Sequence, residues 1–169
     1  ENIPTKNFLY RVPWYVLVGE DDDKKAEFLK NLPLAHPIES PQWGLPGQEP
    51  ALQWWFFEKG VVVDVSAKCL TSLESIKKET GWKAFLKALL HYRYQRPLDG
   101  LVLAIPASYF YGKNRLSIGD LQEKAENFSR QLMQTEKILG FHLPLYCVVT
   151  ELEVIPGFEG FAHEVPTKA

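Results

Sequence analysis

Gly19 and Lys25 stand six positions apart on a segment that passes from an apolar, β-branched stretch (Tyr15, Val16, Leu17, Val18) straight into charge (Glu20, Asp21, Asp22, Asp23, Lys24). Glycine and lysine at that spacing, between a strand and a helix, fit the phosphate-binding template G-x-x-x-x-G-K-[ST]. In that template backbone N–H groups cradle phosphate, the lysine reaches the outer phosphates and the hydroxyl holds magnesium. A third residue belongs to the same chemistry. Asp64 lies near the end of the β-rich run Val61-Val62-Val63-Asp64-Val65, where a D-x-x-G element organises the metal and offers a glycine N–H to the γ-phosphate. Here the template is incomplete: Lys24 replaces the second glycine, Ala26 the Ser/Thr, and Ala67 the glycine after Asp64.

Charge decides against an anion at this loop. Each of the four carboxylates from Glu20 to Asp23, placed ~5 Å from a phosphate charge, costs roughly 3 kcal/mol at an effective dielectric of 20. Lys24 and Lys25 offset part of that. A Cβ at position 24 also disfavours the positive φ that lets such a loop close on its ligand. Gly19, Lys25 and Asp64 are therefore vestigial positions, at which no cofactor, metal or catalysis is expected, and Lys25 is expected to be exposed. A plainer role suits the acids: Asp22 or Asp23 caps a helix running to about Asn31, its carboxylates facing the positive end of the helix dipole. Adjacent acids at a helix start rarely converge on one ion.

The elements that must position these residues alternate along the chain. Residues 1–13, with Pro4 and Pro13 bracketing Phe8-Leu9-Tyr10, form an entry arm, and residues 14–169 form one domain. Pro33, Pro37, Pro41, Pro46 and Pro50, with Gly44 and Gly47, exclude regular structure over most of the span that follows the first helix. The resulting long loop, His36 to Gln53, carries Trp43 as a candidate contact residue. Trp54-Trp55-Phe56-Phe57 and the run from Val61 are two strands joined through Glu58-Lys59-Gly60 as a hairpin. Trp82, Phe85, Leu86, Leu89 and Leu90 form one helical stripe, and its basic end (His91, Arg93, Arg96) suits a helix C-terminus. Leu101 to Ile105 is apolar on both sides, as a central parallel strand is. Ser117 and Asp120 open a second helix, lined by Leu121, Ala125, Phe128, Leu132 and Leu139 and ended by Gly140. Leu145 to Val149 is expected to be a last buried strand, and Cys147 within it a buried free thiol. This alternation predicts an α/β domain with a mainly parallel sheet flanked by helices.

Composition bounds the function. The 169 residues carry a net charge of −2, 46% of them hydrophobic and 13% aromatic, which suits one well-filled core and calls for neither nucleic acid nor an anionic membrane. Two distant cysteines, Cys69 and Cys147, suit a reducing compartment. No apolar stretch approaches the ~20 residues that span a bilayer, so membrane attachment is expected only through segments outside this chain. His36, His91, His142 and His163 lack zinc-ligand spacing, and no G-x-S-x-G elbow exists.

With these landmarks placed, the chain resembles a family. Tyr10-Arg11-Val12-Pro13-Trp14-Tyr15-Val16-Leu17-Val18-Gly19, Trp54-Trp55-Phe56, Val62-Val63-Asp64, Arg96-Pro97-Leu98-Asp99-Gly100-Leu101-Val102, Pro144-Leu145-Tyr146-Cys147-Val148-Val149-Thr150 and Gly157-Phe158 are similar to the cytoplasmic GTPase-like domain of IcmF/TssM proteins. These are inner-membrane components of bacterial type VI secretion systems, with a relative in type IVB secretion. The resemblance implies a P-loop NTPase-like, small-GTPase-like fold. Members with intact motifs have a complete phosphate loop, D-T-A-G at the strand end and T-K-x-D at the late strand. This chain departs at all three, the last through Glu151 and Glu153. What the resemblance implies is a pseudo-GTPase: a non-catalytic scaffold and a fragment of a larger membrane protein. It would face the cytoplasm and contact the TssL-type membrane subunit, the baseplate and copies of itself. A nucleotide switch using Lys25 and Asp64 in an altered site, and a stand-alone soluble binding domain, are the alternatives.

Overall fold

The computed structural model describes residues 10–32, 52–67, 81–113 and 115–165. Its elements are β1 (Trp14–Val18), α1 (Asp22–Lys30), β2 (Leu52–Phe57), β3 (Gly60–Val65), α2 (Gly81–Tyr92), β4 (Gly100–Pro106), α3 (Ile118–Leu139), β5 (Leu145–Thr150) and α4 (Phe158–Glu164). The five strands form one sheet in the order β2-β3-β1-β4-β5. β1 pairs in parallel with β3 and β4, β4 in parallel with β5, and β2 runs antiparallel to β3. This is the mixed α/β architecture that the alternation of runs predicts.

The sheet divides the core by strand alternation. Val16, Val18, Val63, Val65 and Leu101 face α2 and α3, meeting Trp82, Phe85, Leu86, Leu89 and Leu139. Leu17, Trp55, Phe57 and Ala104 face the opposite way, against Leu29 of α1. The tryptophan pair is split between the two faces, Trp54 with the first cluster and Trp55 with the second. Trp82 Nε1 donates to Thr135 Oγ1 at 3.2 Å and ties α2 to α3. Ser117 and Asp120 make the reciprocal capping box that their spacing predicts, and Gly140 closes α3 at φ 81°. Of the α3 stripe, Leu139 is buried and Phe128 and Leu132 pack on the core, whereas Ala125 is exposed.

Several expectations are corrected. β5 is an edge strand, not a buried one, and Cys147 is an exposed free thiol; an apolar run signals a strand without saying whether a neighbour lies on each side. Asp21, not Asp22 or Asp23, caps α1, its carboxylate accepting the Lys24 N–H at 2.9 Å. β2 begins at Leu52, so Leu52 and Gln53 belong to the sheet rather than the loop. Trp43, Cys69, His36 and the proline-rich span lie outside the described residues. Arg93 lies one residue past α2 and is fully buried, a burial that its place at a basic helix end did not indicate.

Much of the resembling sequence converges at the amino ends of β1 and β4. The Asp99 carboxylate accepts the Trp14 N–H at 2.7 Å and pairs with Arg96 at 2.8 Å. The Arg93 guanidinium stacks 4.3 Å over the Trp14 ring and donates to the Pro97 carbonyl at 3.1 Å. Gly100 is required by close approach: a Cβ there would lie 2.9 Å from the Tyr146 ring and 3.1 Å from the Pro144 carbonyl.

Candidate functional site

At the opposite, carboxyl end of the sheet, the loops after β1, β4 and β5 enclose an open cleft of about 400 Å³. Ligands of open α/β sheets bind at such a place, outside the carboxyl ends of the strands. The lining is acidic: Glu20, Asp21, Asp22, Asp23 and Glu151, with Pro106, Ser108 and Tyr109, and no cation. The acids are held by separate partners. Lys124 of α3 reaches both Glu20 oxygens, at 2.8 and 2.6 Å, and Tyr109 donates its hydroxyl to the same carboxylate. Ser108 donates to Glu151, whose backbone is left-handed at φ 58°. Among the described residues, no group of three or more His, Cys, Asp or Glu has the arrangement to hold a metal ion.

The structure brings Gly19, Lys25 and Asp64 together. A Cβ on Gly19 would lie 3.0 Å from the Ala104 carbonyl oxygen and 3.2 Å from the Lys25 side chain, so glycine here lets β1 end tight against β4. Lys25 is not exposed, as its sequence context suggests, but 1% accessible. Its ammonium lies 2.7 Å from Asp64 Oδ1 and 2.9 Å from Asp22 Oδ1, and donates to the Val65 carbonyl. The Asp64 contact is a charge contact, off the line of a hydrogen bond. Asp22, which the sequence offers as a cap, is instead the bridge of the site. Besides Lys25, it accepts the Ala67 N–H at 3.0 Å and the Ser66 hydroxyl at 2.9 Å. Its i, i+3 spacing to Lys25 was visible in the sequence, but the 44 and 45 residues separating it from Ser66 and Ala67 were not bridged by any motif.

Burial sets the titration of these groups. It raises the Asp64 pKa, and Lys25 opposes without cancelling that rise. For Asp22, burial also pulls upward, but Lys25, the Ala67 N–H and Ser66 together win and hold the carboxyl below its ordinary value. Glu20 behaves likewise, with burial outweighed by Lys124 and Tyr109. Burial and the neighbouring Glu20 push the Tyr109 phenol upward. A carboxyl with a lowered folded pKa stabilises the fold above the ordinary carboxylate range, near pH 4, and loses that contribution as pH falls through the folded value. Asp64 has the opposite sign. The urea midpoint is therefore expected to drop as the pH is lowered from about 5 to about 3, and Asp22→Asn and Glu20→Gln should each flatten that drop. An unchanged slope in both variants would remove these two carboxylates from the acid response.

Lys24 is turned outward, pairing with Glu27 at 3.2 Å and Glu153 at 3.3 Å. Glu153, just past the end of β5, is thus tied to α1. No helix among the described residues is long and apolar enough to cross a membrane.

Comparison with known proteins agrees with the resemblance. The type VI secretion system component TssM1 of Pseudomonas aeruginosa is 28% identical over 162 residues, covering 90% of this chain and 14% of its own length. The chain thus spans a small part of that relative. The family described as the IcmF-related N-terminal domain matches residues 76–169, more than half of the sequence. On that match the chain belongs to the IcmF/TssM family.

Proposed function

We propose that this domain is a non-catalytic pseudo-GTPase, a P-loop-like scaffold that serves a bacterial secretion system through protein contacts. One observation carries the proposal: the lysine that would grip phosphate is already neutralised inside the protein. Lys25 is closed between Asp64, Asp22 and the Val65 carbonyl, and the Ala67 N–H is taken by the Asp22 carboxylate. In this reading Asp22 stands, with its own charge, where an outer phosphate would meet Lys25 and the Ala67 N–H. The strand order, with the antiparallel β2 at one edge and a strand–loop–helix leading from β1, supports the P-loop-like fold. The acidic cleft adds repulsion toward any nucleotide.

The relative is a secretion-system component by name, and kinship with it supports a role among the subunits of such a machine. We take the TssL-type membrane subunit, the baseplate and further copies of the protein as the partners, and the cytoplasmic side as the location. Titration calorimetry with GTP or ATP and magnesium tests the nucleotide half of the proposal. No binding heat is expected at millimolar nucleotide, and a dissociation constant in the micromolar range would replace the scaffold with a nucleotide switch.

A further inference from the structure

The acidic cleft has a rim of the opposite character. Between the cleft-lining Tyr109 and the start of α3, the chain presents Phe110 and Tyr111, 57% and 48% exposed, with the exposed Lys113 and Arg115. Ile118, in the first turn of α3, is 85% exposed. Backbone bonds hold this loop at the rim: the Tyr111 N–H donates to the Ala107 carbonyl at 3.1 Å, and the Leu116 N–H to the Tyr109 carbonyl at 2.9 Å. Aromatic side chains beside arginine have the composition of an interface hot spot.

Inside the cleft, acceptors remain to be used. Asp21 spends Oδ1 on the Lys24 N–H and Glu151 spends Oε2 on the Ser108 hydroxyl, which leaves a second carboxylate oxygen on each. Asp23 is exposed on the same wall. Thr150, the residue before Glu151, pairs with the cleft-lining Pro106 in the β4–β5 ladder and so shares its side of the sheet. It is buried, and among the described residues its Oγ1 has no hydrogen-bond partner. A buried hydroxyl left open next to carboxylates calls for a cationic donor.

One partner has to answer both features. An anionic bilayer or a nucleic acid would be drawn to Lys113 and Arg115 but repelled by the carboxylates beside them. A second copy of this chain carries both signs side by side. A two-fold axis then sets the loop of each copy against the cleft of the other.

We propose, on the reading of this domain as a scaffold that works through protein contacts, that two copies associate through this pole. The Phe110–Arg115 loop of each enters the acidic cleft of the other, with the Arg115 guanidinium on the carboxylates of Asp23 and Glu151. The apolar tip supplies burial, and the charges set the orientation.

Sedimentation velocity of the 169-residue chain tests the contact. A monomer–dimer equilibrium is expected, its dissociation constant rising at least about tenfold between about 50 mM and about 500 mM salt, because the charges meet at an exposed rim. Arg115→Glu and Asp23→Arg should each leave a folded monomer with native circular dichroism, since like charges then meet at both contacts. Mixing the two variants should restore a dimer, as a heterodimer in which each reversed residue meets its opposite. A chain that stays monomeric at millimolar concentration in low salt, or a dimer that both reversals leave intact, would overturn the proposal. Co-sedimentation of a monomeric chain with phosphatidylglycerol vesicles would overturn it too, and would assign the loop to lipid. None of these outcomes bears on nucleotide binding, which calorimetry with GTP or ATP reads separately.

Discussion

Replacing Lys25 by methionine is expected to lower the unfolding free energy by about 3–5 kcal/mol, the cost of leaving one partner of a buried ion pair without the other. Methionine keeps most of the side-chain volume, so the loss reports charge rather than a cavity. Asp64 bears it, being 5% exposed with the Lys25 ammonium 2.7 Å away. Asp22 loses less, because its side chain is 42% exposed and retains Ser66 and Ala67. The pH dependence has a definite sign. Burial already raises the Asp64 pKa, and removing Lys25 raises it further, so the variant's deficit should shrink toward acid pH, where Asp64 is protonated, and grow toward neutrality. The double variant Lys25→Met, Asp64→Leu should recover most of the loss, since an apolar pair of similar volume often replaces a buried ion pair at little cost. Urea denaturation of the two single variants, Lys25→Met and Asp64→Leu, and of the double variant at about pH 5 and about pH 7 measures the cycle. A single-variant loss under about 1 kcal/mol would show that the pair is more hydrated than its burial indicates.

The sequence alone suggested the opposite, an exposed lysine worth less than about 0.5 kcal/mol either way. The difference lies in what local pattern can carry. Helix position, charge and the strand before α1 were legible, because β-branched runs and capping chemistry act within a few residues. Lys25 is buried by Asp64, which is 39 positions later and brought alongside only when β3 pairs with β1 through Leu17 and Asp64. The same limit explains β5. Leu145–Val149 is apolar enough to be a strand, but edge or centre is decided by the strand order, and β5 came out at the edge. The Ser117 and Asp120 capping box and the Trp54–Phe57 hairpin, by contrast, are closed over a few residues, and both formed as expected.

The pole of the sheet opposite the cleft holds the other large effect. Arg93→Ala is expected to cost about 3–4 kcal/mol, comparable with truncating a large core side chain, and to lower Tm by about 6–16 °C for a domain of this size. Arg93 is fully buried, 4.3 Å over the Trp14 ring and 5.3 Å from Tyr10. Among the described residues its Nε and Nη2 have no hydrogen-bond partner, although Nη2 lies 3.7 Å from the Asp99 carboxylate, and burial lowers its pKa, partly offset by Asp99. The ring faces therefore supply much of what water gave up, and shape matters as much as charge. Arg93→Met, which fills the space without a buried N–H to satisfy, should cost less than half as much. Arg93→Lys should cost nearly as much as alanine, because an ammonium cannot lie flat between the rings. Asp99 keeps Arg96 at 2.8 Å in all three variants, so its own cap on the Trp14 N–H survives as an internal control. Equal losses for methionine and alanine would mean that charge, not stacking, holds this corner. Several of the residues that carry the resemblance, Tyr10, Trp14, Arg96, Pro97 and Asp99, gather around Arg93 rather than around the cleft. The clamp at this pole and the closed contact of Lys25 with Asp22 and Asp64 at the other hold opposite ends of one sheet, and the Arg93 series measures the first.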